Sequence, residues 1–187
     1  TLCGHASRAS YPILPGRVEQ NGGPDLFLGS WEGDPDDCHA ALLTGIGVEG
    51  AAIVGGGVID GNAAAGDWWN RPKEKLEARR PRTLFLNGCR NVLVQGVTIR
   101  NSPSWTIHPL FSGDLRFHGL TVENPKDSPN TDGLNPESCE NVEIVGVRFS
   151  VGDDCIAIKS GKIFLGKLLK RPSRDIRIRR CLMEHGH

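Results

Sequence analysis

Residues 139–154 read CENVEIVGVRFSVGDD. Val142, Ile144, Val147 and Phe149 are the apolar members of two short alternating runs, and Gly146 separates the runs. Alternation with a period of two sends one set of side chains to each face of a strand. The same template, x-(Val/Leu)-x-(Ile/Val/Phe)-x-Gly-(Val/Leu)-x-(Ile/Val/Phe), recurs in CRNVLVQGVTIRNSP from Cys89 and SGDLRFHGLTVENPKD from Ser112. Its glycines, Gly96, Gly119 and Gly146, stand 23 and 27 residues apart. Weaker copies are GAAIVGGGVIDGN from Gly50 and SRDIRIRRCLMEHGH from Ser173, the second with Arg180 in the glycine place. A repeat of this length, made of short strands without a helical stretch, describes a solenoid. One coil cannot bury its inward row alone, but stacked coils lay Val on Val and Ile on Ile. The expected fold is therefore all-β, a parallel β-helix, with the glycine bending the chain between two strands of a coil. Asn91 and Asn141, just before the first strand, suit turns with left-handed backbone.

The 187 residues fit one domain, 1–187, with an irregular segment over 1–39, coils over 40–187, and insertions at 62–82 and 161–172. Residues 1–37 are rich in Pro, Gly and Asp and read as loops with at most one short strand; Asp36 and Asp37 read as a solvated turn. Within the first insertion KEKLEARR, 73–80, lies between two prolines and reads as a short helix, while 161–172, GKIFLGKLLKRP, reads as a basic loop. Loops of this kind project from one face of a solenoid and shape a cleft. Trp68 and Trp69 either pack the first loop or stack on a sugar. Lys+Arg and Asp+Glu balance at 22 each, so no global field favours nucleic acid or an anionic membrane. No apolar run approaches the roughly 18 residues of a membrane span. None of the six cysteines forms a CxxC pair, which argues against a zinc knuckle. Buried thiols in stacked turns are expected, with a Cys155–Cys181 disulfide left open. The chain begins at Thr1 without a signal peptide and reads as a mature N-terminus or a cut piece.

Three aspartates carry the chemistry: Asp132 in Asn-Thr-Asp-Gly, and Asp153 and Asp154 in Gly-Asp-Asp-Cys. Asp132 and Asp153 are 21 residues apart, close to one coil, so Asp132 should lie beside Asp153 or Asp154. Adjacent residues of a regular strand face opposite ways, and Gly152 supplies the bend that brings both into a cleft; burial of Asp154 in the turn is the alternative. Neighbouring carboxylates cannot all be cheaply ionised, so repulsion keeps one protonated. That matches glycoside hydrolysis, which needs a proton donor and a carboxylate that activates water or attacks carbon. A calcium site is the rival reading. His187 lies 33 residues past Asp154, one coil more once the twelve-residue insertion is removed, which places it over the aspartates. His185 and His187 lack a third ligand for zinc, and neither metal nor cofactor is expected. Trp105 and His108 stand one repeat before Asp132 as a structural turn or a substrate contact. Arg100 and Lys126 are bases that could neutralise an acidic sugar.

Asn130-Thr131-Asp132, Gly152-Asp153-Asp154 and Gly186-His187 resemble signature stretches of glycoside hydrolase family 28, the polygalacturonases. Val58-Ile59-Asp60-Gly61, Trp68-Trp69 and residues 101–109, NSPSWTIHP, extend the resemblance over about residues 40–187. Each motif is short, and their order and spacing carry the match. The resemblance implies a right-handed parallel β-helix that hydrolyses α-1,4-galacturonan, the pectin backbone, with inversion and without a metal. It makes Asp153 the general acid, Asp132 and Asp154 the water-activating carboxylates and His187 a supporting residue, with Asn130, Lys159, His108 and Trp105 as candidate substrate contacts. CIAIKSG, 155–161, with the loop after it, is similar to exo-acting or rhamnogalacturonan-type members. The family's Arg-x-Lys, which binds the substrate carboxylate, has no counterpart in these residues; Lys159, Lys162, Lys167 and Lys170 are the bases that could substitute. The expected protein is an N-terminal or central fragment, with the solenoid truncated at its C-terminal end. The complete enzyme would be secreted or periplasmic and monomeric, with an acidic plant polysaccharide as partner. A cation-dependent β-helix lyase and a non-catalytic glycan-binding β-helix are the other classes this sequence admits.

Overall fold

The computed structural model describes residues 1–187 as coils of a right-handed parallel β-helix with three faces. On the first face Val58–Asp60, Thr98–Arg100, Thr121–Glu123, Arg148–Ser150 and Leu182–His185 stack in chain order. On the second, Ala52–Val54, Arg90–Gln95, Gly113–His118, Glu140–Val145 and Arg174–Arg179 do the same. The third begins with Leu43–Ile46, Leu84–Asn87 and Ile107–Leu110. Single parallel bridges continue it, Ile107 to Leu134 to Ile156 and Leu110 to Glu137 to Lys159. Parallel register sets like upon like. Val92, Leu115, Val142 and Ile176 form one column, and Val94, Phe117, Ile144 and Ile178 another. Ile59, Ile99, Val122 and Phe149 form a third on the first face. These columns enclose one continuous core.

The bends follow from backbone sterics. Gly96, Gly119 and Gly146 have φ of +78°, +58° and +65°, and Arg180 takes the same left-handed conformation at +54° in the glycine's place. Asn91 and Asn141 are left-handed as expected, and Asp114 and Asp175 hold the equivalent place in the other two coils. Only short polar side chains that bond locally tolerate this conformation readily. A Cβ added at Gly119 would meet no atom within 4 Å, so its substitution tests the backbone alone. Gly119→Ala should cost about 1–2 kcal/mol, read as a lower urea midpoint with unchanged slope.

Four expectations change. The segment 1–39 holds more strand than expected: Leu2–Cys3 extends the first face beside Val58–Asp60, Ile13–Leu14 pairs with Cys38–His39, and Ser30–Trp31 pairs with Asp34–Pro35. Strands of two residues leave no period to read. Residues 73–80 form turns and bends, not a helix. Ala78 and Arg80 are buried there, and Lys75 and Arg79 both reach Asp36, which is therefore an ion-paired wall residue and not a solvated one. An eight-residue helix nucleates too poorly to resist those tertiary contacts. The 161–172 insertion is not all loop, because Phe164–Leu169 is helical around the buried Leu165. All six cysteines are free. The Cys155 thiol donates to the His185 carbonyl and the Cys181 thiol to the Ile144 carbonyl, so the two point to different neighbours.

Cys89 and Cys139 are buried, and burial pushes the Cys139 thiol up to about 12. Trp68 is fully buried, edge-on to Tyr11, with the Arg8 guanidinium 4.3 Å from its ring centre. It packs the first insertion and offers no face to a sugar. Trp69 is held by its indole N–H, which donates to the Ser102 carbonyl. No helix is long and apolar enough to cross a membrane.

Candidate active site

The aspartates sit where the chain turns from the first face to the third. A Cβ on Gly152 would lie 2.3 Å from the Ser128 carbonyl oxygen, so only glycine lets this turn nest against residues 125–131. Leu134 bridges Ile156, and two residues back on each strand Asp132 stands opposite Asp154. The Gly133 N–H donates to the Asp154 carbonyl at 2.9 Å, which fixes that register. The coil step here is 22 residues, so Asp154, not Asp153, is the ladder neighbour of Asp132. Asp153 is brought alongside by the bend, in which the Asp154 N–H donates to Asp153 Oδ1 at 2.9 Å. The result is a cluster in which ligand oxygens of Asp132, Asp153 and Asp154 all lie within 4.8 Å of one another.

Their environments differ. Asp132 is 3% exposed, while Asp153 and Asp154 are half-buried. The Asn135 amide donates to Asp132 Oδ2 at 2.9 Å, Lys159 Nζ lies 3.7 Å from the same oxygen, and Oδ1 has no partner. Burial pushes the Asp132 carboxyl up to about 6; Asn135 opposes the rise, Asp153 adds to it and Lys159 opposes it. Desolvation is thus the main cause, where the sequence suggested repulsion. The His187 N–H donates to the Asp153 carbonyl at 3.2 Å, so the C-terminal histidine does lie beside the cluster.

Two cavities of ≈ 730 and ≈ 440 Å³ meet at this point. The larger runs past Trp31, Asp36, Lys73, Arg79, Lys126 and His187. The smaller is lined by Trp105, Asp132, Glu137, Asp154 and Lys159. Asn130 borders both. It is left-handed, with φ +56°, and its Oδ1 accepts from Arg80 Nη2 at 2.6 Å. Arg80 is 4% exposed and also donates to the carbonyls of Pro72, Pro103 and Pro129, so one guanidinium ties together the loops that shape this wall.

Other candidates move away from the substrate. His108 is fully buried, with Nε2 2.9 Å from Glu137 Oε2 and its ring edge-on to Trp105, so it supports the cleft floor and cannot touch a ligand. Burial brings His108 down to about 4 and keeps it neutral. Burial pushes the Glu137 carboxyl up, but His108, Arg82 and Lys159 outweigh it and hold the group below the usual range. Trp105 is 4% exposed, stacked on Trp31 at 5.5 Å, with Lys159 Nζ 4.6 Å from its ring centre; it reaches the smaller cavity without a free face. Arg100 is paired with Asp60 at 2.8 Å and is not a cleft base. Lys159 and Lys162 line the cleft, whereas Lys167 and Lys170 do not. Trp31, Glu32, Arg80 and Glu137 are site-shaping residues that sequence reasoning missed. Nothing in their neighbours in sequence sets them apart, because their contacts come from distant segments: Arg80 meets Asn130, 50 residues away, and Glu137 meets His108, 29 residues away.

The arrangement offers a buried, readily protonated carboxyl, two ionisable partners and an ammonium in one cleft. A hard cation is compatible with three such carboxylates, but the Lys159 ammonium already supplies positive charge beside Asp132. Comparison with known proteins agrees in kind. The model of the family described as glycosyl hydrolases family 28 matches residues 28–187. A probable polygalacturonase of Vitis vinifera is 38% identical over 144 residues, covering 76% of this chain and 29% of that protein. An endo-polygalacturonase of Pectobacterium carotovorum subsp. carotovorum is 30% identical over 154 residues, covering 71% of this chain and 38% of its own. The crystal structure of a hyperthermoactive exopolygalacturonase from Thermotoga maritima superposes with a TM-score of 0.76 at 29% identity, covering 96% of this chain and 45% of that one. The chain thus spans less than half the length of each of these relatives.

Proposed function

Because this chain belongs to family 28 of the glycosyl hydrolases, we propose that it forms the catalytic β-helix domain, or part of it, of an enzyme that hydrolyses α-1,4-galacturonosidic bonds of pectin outside the cell. The observation that carries the reading is the cluster of Asp132, Asp153 and Asp154 within 4.8 Å at the junction of two cavities. Asp153 protonates the leaving oxygen between two sugars, a role supported by its position bordering both cavities. Asp132 and Asp154, in register on adjacent coils, hold and deprotonate the attacking water. Lys159 offers an ammonium group to a uronate carboxylate, and His187 supports Asp153. Inversion requires the water to reach the anomeric carbon on the face opposite the leaving oxygen, from the Asp132–Asp154 edge, and the first-formed anomer by NMR checks it.

The deciding experiment incubates the protein with polygalacturonate and with rhamnogalacturonan, with and without chelator, and identifies the products. Reducing ends should appear on polygalacturonate, unaffected by chelator. A chelator-sensitive product absorbing in the ultraviolet would instead mark a lyase. The Asp132 carboxyl, raised to about 6 chiefly by burial, must be ionised to accept a proton. The acid limb of the activity profile should therefore fall as pH drops through that value. An acid limb that stays near pH 4 would remove Asp132 from the base role.

A further inference from the structure

Four residues line both cavities and so stand where the two meet: Asn130 and Asp153, Glu32 and Lys162. The last two are joined, with Lys162 Nζ 2.6 Å from Glu32 Oε2, although they stand 130 residues apart in sequence. Glu32 and Gly33 form the tip of the hairpin between Ser30–Trp31 and Asp34–Pro35, both with left-handed backbone at φ +51° and +84°. A two-residue hairpin tip calls for that geometry at both positions, and a Glu there is strained. Lys162, on the other side of the contact, is left-handed too, at φ +43°. Strain of this kind persists where the surroundings over-determine it, and here they do. The Leu165 N–H donates to the Gly33 carbonyl at 3.1 Å, and a Cβ on Gly33 would sit 2.5 Å from the Gly161 carbonyl carbon. The ion pair is exposed and weak by itself; the close glycine contact behind it makes the junction firm.

Resting on the reading of this cleft as a galacturonan hydrolase site, we propose that the hairpin tip and the 161–172 insertion form a strap across the cleft opposite Asp153. Glu32 and Lys162 are its specificity-determining pair, and the strap makes a polymer enter by its end and not by its middle. A galacturonan lying through both cavities must pass between the Glu32–Lys162 pair and the Asn130–Asp153 side. A free chain end can thread that opening. An internal segment enters only if the tip lifts from the insertion, which breaks the ion pair and the Gly33–Leu165 bond. Lys162 also masks the Glu32 carboxylate, which would otherwise repel a uronate chain.

The test follows viscosity and reducing ends together on long polygalacturonate, with trigalacturonate as a substrate that needs no internal entry. The parent chain should release reducing ends with little early loss of viscosity. Glu32→Ala should raise the viscosity lost per bond cleaved several-fold. Gly33→Ala, which drives the tip off Gly161, should raise it more. In both, polymer turnover should rise relative to trimer turnover. A parent protein that collapses viscosity within the first few bonds cleaved, or variants that keep the parent's viscosity-to-bond ratio, would overturn the strap. If no variant cleaves the trimer, the hydrolase reading fails, and the strap is then judged by binding. Tryptophan fluorescence would follow association with the polymer, which the two substitutions should accelerate while leaving association of the trimer unchanged; equal rates for all three proteins would overturn it.

Discussion

Asp153→Asn should lower kcat on polygalacturonate by about 10²–10⁴-fold, the usual worth of a positioned acid or base, with little change in KM. The side chain is half-buried and its Oδ1 accepts from the Asp154 N–H at 2.9 Å, a bond that an asparagine oxygen can still accept. The bend that aligns the aspartates therefore survives, and circular dichroism and the urea midpoint should match the parent. On the proposed function, what the substitution removes is the carboxyl that protonates the leaving oxygen between the two cavities. Activity within a few-fold of the parent would show that another group protonates the leaving oxygen. A glycan-binding protein without turnover would instead bind equally well with either residue and release nothing with both.

Arg80→Met should destabilise the fold by about 3 kcal/mol, since it removes a buried guanidinium that joins four acceptors at once. The carbonyls of Pro72, Pro103 and Pro129 and the Asn130 side chain all lose their donor; Pro103 is buried, while the other three border the larger cavity. Burial lowers the guanidinium only to about 10, so the group is charged at any working pH and its loss is not a matter of titration. Arg80→Lys should rescue little, because one ammonium cannot span acceptors arranged for a planar fork. The check is the urea midpoint together with KM, which should rise as Asn130 loses its anchor. A midpoint within 1 kcal/mol of the parent (on the order of a surface substitution) would show that the proline-rich loops hold themselves.

The coils were legible because their cause is local. Val142, Ile144, Val147 and Phe149 alternate in sequence for the same reason that they stack in columns, and Gly96, Gly119 and Gly146 mark bends that only left-handed backbone makes. The cluster was legible because one coil returns the chain to its own side, although counting from Asp132 to Asp153 gave 21 where the ladder steps by 22 and selects Asp154. The failures are the places where distant segments decide. KEKLEARR has helix-forming residues, yet Asp36 pulls Lys75 and Arg79 into a wall. His108 reads like a sugar-binding residue until Glu137, 29 residues on, is seen to hold it out of reach. Trp31 lies in a stretch without any period and becomes part of the cleft through its stack on Trp105. That one of the three carboxyls is raised is expected from the sequence, but neither its place at Asp132 nor its cause is, because burial of one carboxyl among three has no sequence signature.

The 161–172 insertion lengthens the step between stacked residues from 27, Leu115 to Val142, to 34, Val142 to Ile176. Chain closure entropy grows only with the logarithm of loop length, so the longer excursion adds about 0.2 kcal/mol to that coil. The columns of Val, Ile and Phe are untouched by it. A cleft wall of this kind can therefore lengthen or shorten with little entropic resistance from the scaffold that holds the aspartates, as long as the contacts that seat it, such as those of Arg80, are kept.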